Sequence, residues 1–253
     1  VRFVLTSGQV VRGQGADLRL SVALGGGGQL DVPIADVSQW SYRISETKPA
    51  DQPFAAPQAV LRTGDILKFD PAKVRFSFRS RYGLATLRAE DVQSIALDNP
   101  GNIVHRCTFV NGTRLGGFLE PARISLALGL GAPLEVDRDL LVQLRFSEEE
   151  NRPPVLAQVI MNNEDELYGR FVERSFRLAT KYNAVDLAMD HVKTMKLEEG
   201  QLAVEMWNGT VHRGLPAQLE LPFEIAPGTV FKLPTDQIVS VLRPDPLPPE
   251  DIR

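Results

Sequence analysis

The sequence predicts an all-β protein assembled from about five small repeated modules. Three observations carry that prediction. Runs in which apolar and polar residues alternate with period two recur along the chain, as where Leu18, Leu20, Val22 and Leu24 enclose Arg19, Ser21 and Ala23. Tight-turn signals separate these runs, Asn111-Gly112 and Asn208-Gly209 being the plainest. A closing aspartate beside apolar residues three apart, as in Asp236-x-Ile238-x-x-Val241, follows each turn, and its first apolar residue comes roughly 28 or 29 positions after the turn. A hairpin register holds such a spacing constant.

The sharpest copy runs from Trp207 to Leu242. Asn208-Gly209 predicts a type I′ turn, with positive φ at both central residues. Gly214, five residues on, lacks the Cβ that would oppose a sharp strand bend. The three-residue apolar spacing at the end suits one short helical turn, with Asp236 placed to cap its amides.

Module 1 covers 1–44, with Gly8 and Gly13 ahead of Asp36-Val37-x-x-Trp40. Its run Gly25-Gly26-Gly27-Gly28 lies between strands and is not followed by Lys-Ser/Thr. It therefore reads as a hairpin tip rather than a phosphate cradle. Residues 45–57 hold three prolines and little periodicity and read as an extended linker, with Phe54 a candidate anchor. Module 2, 58–97, repeats the pattern with Gly64 and Asp91, but Phe69 stands where the second glycine belongs. Module 3, 103–146, carries Gly112, Gly117 and Asp139. A polar linker, 147–154, ends in two prolines. Module 4, 155–198, has the degenerate turn Asn162-Asn163-Glu164-Asp165, then Gly169 and Asp190. Module 5, 200–243, with Gly209, Gly214 and Asp236, follows almost without a linker, so it should dock on module 4. The tail 244–253 is proline-rich and reads as an arm or tether.

Strand, turn, strand bent at glycine, hairpin, capped turn and last strand together resemble the small SH3-like or Sm-like β-barrel repeats of bacterial secreted and envelope proteins. The resemblance covers nearly the whole chain at the level of fold and implies tandem barrels. It implies no function by itself. The RNA-binding loops of true Sm proteins are not recognisable in this sequence. The competing architecture is a five-bladed β-propeller, since four strands in about 45 residues also describe a blade. Against it, the turn-to-turn spacing is uneven, at roughly 45 to 56 residues, and two linkers are proline-rich.

Candidate chemistry is sparse. The most basic stretch sends Arg75, Ser77, Arg79 and Arg81 to one face of a strand and Val74, Phe76 and Phe78 to the other. With Tyr82, Arg75, Arg79 and Arg81 form a candidate polyanion, glycan or partner contact. The simpler reading is a solvated face paired with acidic neighbours, because the phenylalanines point away and cannot stack beside the arginines. Cys107, the only cysteine, reads as a buried structural thiol, and its strand neighbour His105 finds no further metal ligands in the sequence. Asp190-His191 invites an acid–base reading, but aspartates recur at the equivalent positions without a histidine, so capping fits better. Asn111-Gly112-Thr113 and Asn208-Gly209-Thr210 match a glycosylation sequon, which turn chemistry already explains.

No catalytic, cofactor or metal site is expected from these residues. A net charge of −4 argues against general nucleic-acid binding, and no apolar run is long enough to span a bilayer. Val1 opens the sequence without methionine, which reads as a removed leader or a start inside a longer protein. The expectation is a non-catalytic structural or interaction protein, a scaffold or accessory subunit with other protein subunits as partners. Its expected place is outside the cytoplasm, in the periplasm or at the cell surface. The alternative is a polyanion- or glycan-binding module using the stripe of module 2.

Overall fold

The computed structural model describes residues 2–4, 10–12, 19–24, 28–37, 57–97, 104–128, 133–148 and 156–244. Gly8, Gly13, Gly25 to Gly27, Trp40, Phe54 and the tail from 245 lie outside this set. The chain is all-β, its strand pairings are antiparallel, and its only helical elements are single 3-10 turns among the described residues.

Near the start, β1 (Arg2–Val4) pairs with β2 (Val10–Arg12), and β3 (Arg19–Ala23) with β4 (Gln29–Pro33). The next strands are β5 (Gln58–Leu61), β6 (Ile66–Lys68), β7 (Arg75–Ser80), β8 (Gly83–Arg88) and β9 (Val92–Ala96). Then come β10 (His105–Phe109), β11 (Arg114–Leu119), β12 (Arg123–Leu126), β13 (Leu134–Asp137) and β14 (Leu141–Arg145). After them run β15 (Ala157–Met161), β16 (Glu166–Phe171), β17 (Ser175–Ala179), β18 (Ala184–Ala188) and β19 (Val192–Glu198). The last are β20 (Gln201–Met206), β21 (Val211–Pro216), β22 (Glu220–Ala226), β23 (Thr229–Pro234) and β24 (Ile238–Leu242).

Pairing crosses between successive segments of the repeat. One contiguous stretch, 75–119, makes the strand order β8-β7-β11-β10-β9. The stretch 175–216 repeats it as β18-β17-β21-β20-β19. Around the latter, β23-β22-β16-β15-β24 joins strands from both of its flanks. The corresponding set around 75–119 is divided: β6-β5-β14 is one piece, and β12-β13 is a separate ribbon. The last strands then join the sheets in pairs, Leu144 opposite Ile95 across β14 and β9, and Met195 opposite Val241 across β19 and β24. These four side chains are buried at the same register position, and apolar contact there ties each inner sheet to its flanking one.

The hairpin turns at Gly64, Gly112, Glu164 and Gly209 are built differently from the type I′ expectation. In each, the residue before the turn donates its N–H four residues on and accepts from three residues on: Phe109 N to Thr113 O (2.8 Å) and Gly112 N to Phe109 O (3.0 Å). Leu61, Met161 and Met206 repeat this pair of bonds. Only the third loop residue has positive φ, Gly64 at 87°, Gly112 at 91°, Glu164 at 66° and Gly209 at 82°, while Asn111 and Asn208 stay on the ordinary side. This is the three-residue loop with one left-handed position and a bulge. Asparagine serves through its side chain: the Oδ1 of Asn111 and of Asn208 accepts from the N–H two residues on, at 3.0 and 2.9 Å.

A second difference concerns the recurrent aspartates. Each lies in a 3-10 turn, Ile34–Asp36, Ala89–Asp91, Arg138–Leu140, Met189–His191 or Thr235–Gln237, and none of these turns has a side-chain cap. Asp36, Asp91, Asp139, Asp190 and Asp236 are the second or third residue of their turns, so their carboxylates follow the amides a cap must precede. Asp91 instead holds Arg88 (Nε to Oδ2, 2.7 Å), and Arg243 lies 3.8 Å from Asp190. The capped turn is Pro71–Lys73, where Asp70 accepts from the Ala72 N–H (3.1 Å).

Gly117, Gly169 and Gly214 serve close approach. A Cβ on Gly117 would collide with the Arg79 carbonyl oxygen, on Gly169 with that of Glu224 and on Gly214 with that of Ala179. Each glycine thus lets one strand pass directly over another, joining β11 to β7, β16 to β22 and β21 to β17. At Phe69, five residues after Gly64, there is no such crossing. The Phe69 ring is buried edge-on against Phe146, and where β6 ends the chain keeps one bond to the β12 side, Asp70 N to Ala127 O (2.8 Å).

Candidate interaction surface

The basic stripe lies on β7 and the turn after it. Arg79 is exposed and pairs with Glu120, and Arg81 donates to Asn162 Oδ1 (3.2 Å). Arg75 lies on β7, with its side chain outside the described set. Phe76 and Phe78 are buried on the opposite face, so these two arginines are spent on neighbouring acidic and amide groups. Tyr82 does not join them. It is 5% exposed, and its hydroxyl donates to Asp165 Oδ2 (2.8 Å) with Asn163 Oδ1 3.0 Å away. A surface ligand cannot reach it, because the chain itself covers it.

That covering is a built polar junction between the 75–119 sheet and the β22-β16-β15 sheet. Asp165 is 1% exposed, and its Oδ1 accepts the Gly116 N–H at 2.8 Å while Asn163 Nδ2 donates to Oδ2 at 2.7 Å. The Arg106 guanidinium stands 3.8 Å off. From the other side the turn of β10 and β11 enters β16. Thr113 Oγ1 accepts the Tyr168 N–H (2.8 Å), and Asn111 Nδ2 donates to the carbonyls of Tyr168 (2.8 Å) and Ile225 (2.6 Å). Arg114 pairs with Glu166, so equivalent residues of two equivalent strands meet. Such partners offset the cost of burying these polar groups. Burial pushes the Tyr82 phenol well above its ordinary value, and the Asp165 carboxylate, by charge and hydrogen bond, pushes it further.

The other candidate groups are structural. Cys107 is a fully buried free thiol, and burial pushes its pKa up. His105 turns its Nδ1 to accept the Leu119 N–H (3.0 Å), and burial, with Arg138 nearby, lowers its pKa. Among the described residues no three His, Cys, Asp or Glu side chains gather as a metal site would require. His191 takes part through its carbonyl, which accepts the Trp207 N–H (2.9 Å).

The face left open lies on the 175–216 sheet, where an open groove of about 780 Å³ runs between the β17–β18 tip and β21. Tyr182 (89% exposed), Leu215 and Val211 place apolar surface there, beside Lys181 and Arg213. Large exposed apolar groups on one rim mark contact surfaces more often than chance placement does. Sequence reasoning missed Tyr182, Asn163 and Asp165. The available signal was the match of Ser80-Arg81-Tyr82-Gly83 to Thr180-Lys181-Tyr182-Asn183, which period counting on turns and glycines does not weigh. No family model, curated protein or solved structure matches this chain.

Proposed function

We propose that this chain is a non-catalytic structural or interaction protein of about five tandem small barrels of SH3-like or Sm-like plan, a scaffold or accessory subunit of an extracytoplasmic assembly. The observation that carries the reading is the junction around Asp165, where sheets of one chain recognise each other through hairpin turns and buried polar bonds. A protein that joins its own sheets this way has the means to join others. The small-barrel plan is supported by the pairing of β7 with β11 and of β17 with β21, which skip neighbours in sequence as a propeller blade's meander does not.

The test is the mass of the native particle from its source, with the co-purifying chains identified. A large particle with stoichiometric partners is expected. A lone monomer with no bound chain removes the reading.

A further inference from the structure

The 175–216 sheet repeats the turn and crossing pattern of the 75–119 sheet at the surface that forms the junction. Gly214 passes over the Ala179 carbonyl as Gly117 passes over that of Arg79. Ser80 Oγ accepts from the Tyr82 N–H (3.1 Å) and donates to the Gly83 carbonyl (3.2 Å); Thr180 Oγ1 accepts from the Tyr182 N–H (3.3 Å) and donates to the Asn183 carbonyl (2.8 Å). Tyr182 is thereby the counterpart of Tyr82, and Asn208-Gly209-Thr210 that of Asn111-Gly112-Thr113. In one copy these residues are buried in the junction. In the other they face solvent: Tyr182 is 89% exposed against 5% for Tyr82, and Asn208 and Thr210 are exposed where Asn111 and Thr113 are buried.

The complementary face is also duplicated. The turn that fills the junction, Asn162 to Glu166, corresponds through its two backbone bonds and its left-handed residue to Arg62 through Ile66. Asp65 stands where Asp165 stands, and Thr63 Oγ1 donates to its Oδ2 (2.6 Å) as Asn163 Nδ2 donates to that of Asp165. Thr63 and Gly64 are exposed, and Ile66 is an exposed apolar residue.

We propose, resting on the interaction reading above, that the 175–216 face docks a second copy of this chain through its Arg62–Ile66 turn, reproducing the internal junction between molecules. Tyr182 then donates to Asp65 as Tyr82 donates to Asp165. Val211 meets Ile66 as Arg114 meets Glu166, and both are exposed apolar side chains in the single chain. The amide that binds the carboxylate belongs to Arg213 in place of Gly116, which adds a cation beside Asp65. Phe231, on which Tyr82 rests at 6.1 Å between ring centres, is matched by Leu134, and there Gly28, just ahead of β4, lies close, a Cβ on it falling 2.8 Å from Leu134 Cδ1. The arriving Tyr182 ring shares Leu134 with that segment. One encounter opposes the contact: Lys181 approaches Arg62 where Arg81 finds Asn162, although Arg62 is turned back onto the Asp139 carbonyl (2.9 Å). Two different faces are used, so association is head to tail and each added copy presents a new free face.

The test is static light scattering and analytical ultracentrifugation of the purified full chain across a concentration series. Concentration-dependent association is expected. Tyr182→Ala and Asp65→Asn should each raise the half-association concentration by about tenfold or more, the size of a lost hydrogen bond to a charged group. Arg62→Asn should lower it. Val211→Cys and Ile66→Cys chains, mixed under oxidation, should form the crossed disulfide and little of either self-linked product. All five side chains are at least partly exposed, and matching unfolding midpoints establish that the variants fold. A chain that stays monomeric to about millimolar concentration, or association indifferent to Tyr182 or to Asp65, overturns the proposal. If the native particle nevertheless contains other chains, the structural reading stands and only the second copy as occupant fails.

Discussion

Gly169 and Phe69 occupy the same place in two copies of one pattern, five residues beyond the left-handed turn residue. At Gly169 the strand crosses β22, with Arg170 opposite Glu224 and Phe171 opposite Phe223, and the sheet is whole. At Phe69 the sheet is cut into β6-β5-β14 and β12-β13. The difference is one of volume. No side chain fits between two backbones that close, and a Cβ at Gly169 would already stand 2.8 Å from Phe223 Cε1. Where a large ring is present instead, the strands separate and the ring fills the gap with Phe146. The same fold thus closes one sheet by hydrogen bonds and the other by aromatic packing.

The most severe way to break the comparison is to exchange the residues. Gly169→Phe should abolish cooperative unfolding altogether, and Gly169→Ala should cost about 3 kcal/mol, at the upper end of overpacking effects; urea denaturation reads both. A tolerated Gly169→Phe would show that the crossing does not depend on the missing side chain. Next in size, Phe69→Ala should destabilise by about 3 kcal/mol, as expected for a truncated buried phenylalanine. It should not gain stability by letting β6 and β12 pair, since the space left is a cavity rather than a strand; a stabilised Phe69→Ala would reverse the argument.

A smaller effect separates the two tyrosines. Tyr82→Phe should cost about 1.5–3 kcal/mol, the range for a bond to a charged group, while Tyr182→Phe in the monomer should be neutral within about 0.5 kcal/mol. The Tyr82 phenol is raised in the folded state, so its contribution is complete below the unfolded value near 10 and is lost as pH rises above it. Tyr82→Phe should therefore flatten the alkaline limb of the stability profile. Equal pH profiles for wild type and variant would contradict the burial of that hydroxyl. The least effect belongs to His105, whose lowered pKa means stability present above about 6.5 and lost as pH falls below it. Replacing it with Gln should reduce the acid sensitivity and leave neutral stability within about 1 kcal/mol; an unchanged acid limb would assign that limb elsewhere.

Local chemistry was legible where one residue's own requirements decide the structure. The 3-10 turns ahead of the closing strands, the hairpin flanked by Ala23 and Gln29, the burial of Cys107 and the split faces of β7 all follow from period and residue type. The turn class was misread because Asn-Gly satisfies two loops, and only φ distinguishes them. The aspartates were misread as caps because a shift of one or two positions along a 3-10 turn decides whether a carboxylate precedes or follows the free amides.

What the sequence determined by itself is the repeated strand pattern, its spacing and its all-β character, because these rest on alternation and on backbone limits within a few residues. Tertiary structure alone decided which copies share a sheet and which surfaces are covered. Tyr82 and Tyr182, and likewise Asp165 and Asp65, sit in the same turn motifs; their burial differs because a neighbour from about 80 residues away arrives at one of each pair. Burial is a property of that encounter, and encounters between distant segments are set by packing over the whole chain rather than by local pattern.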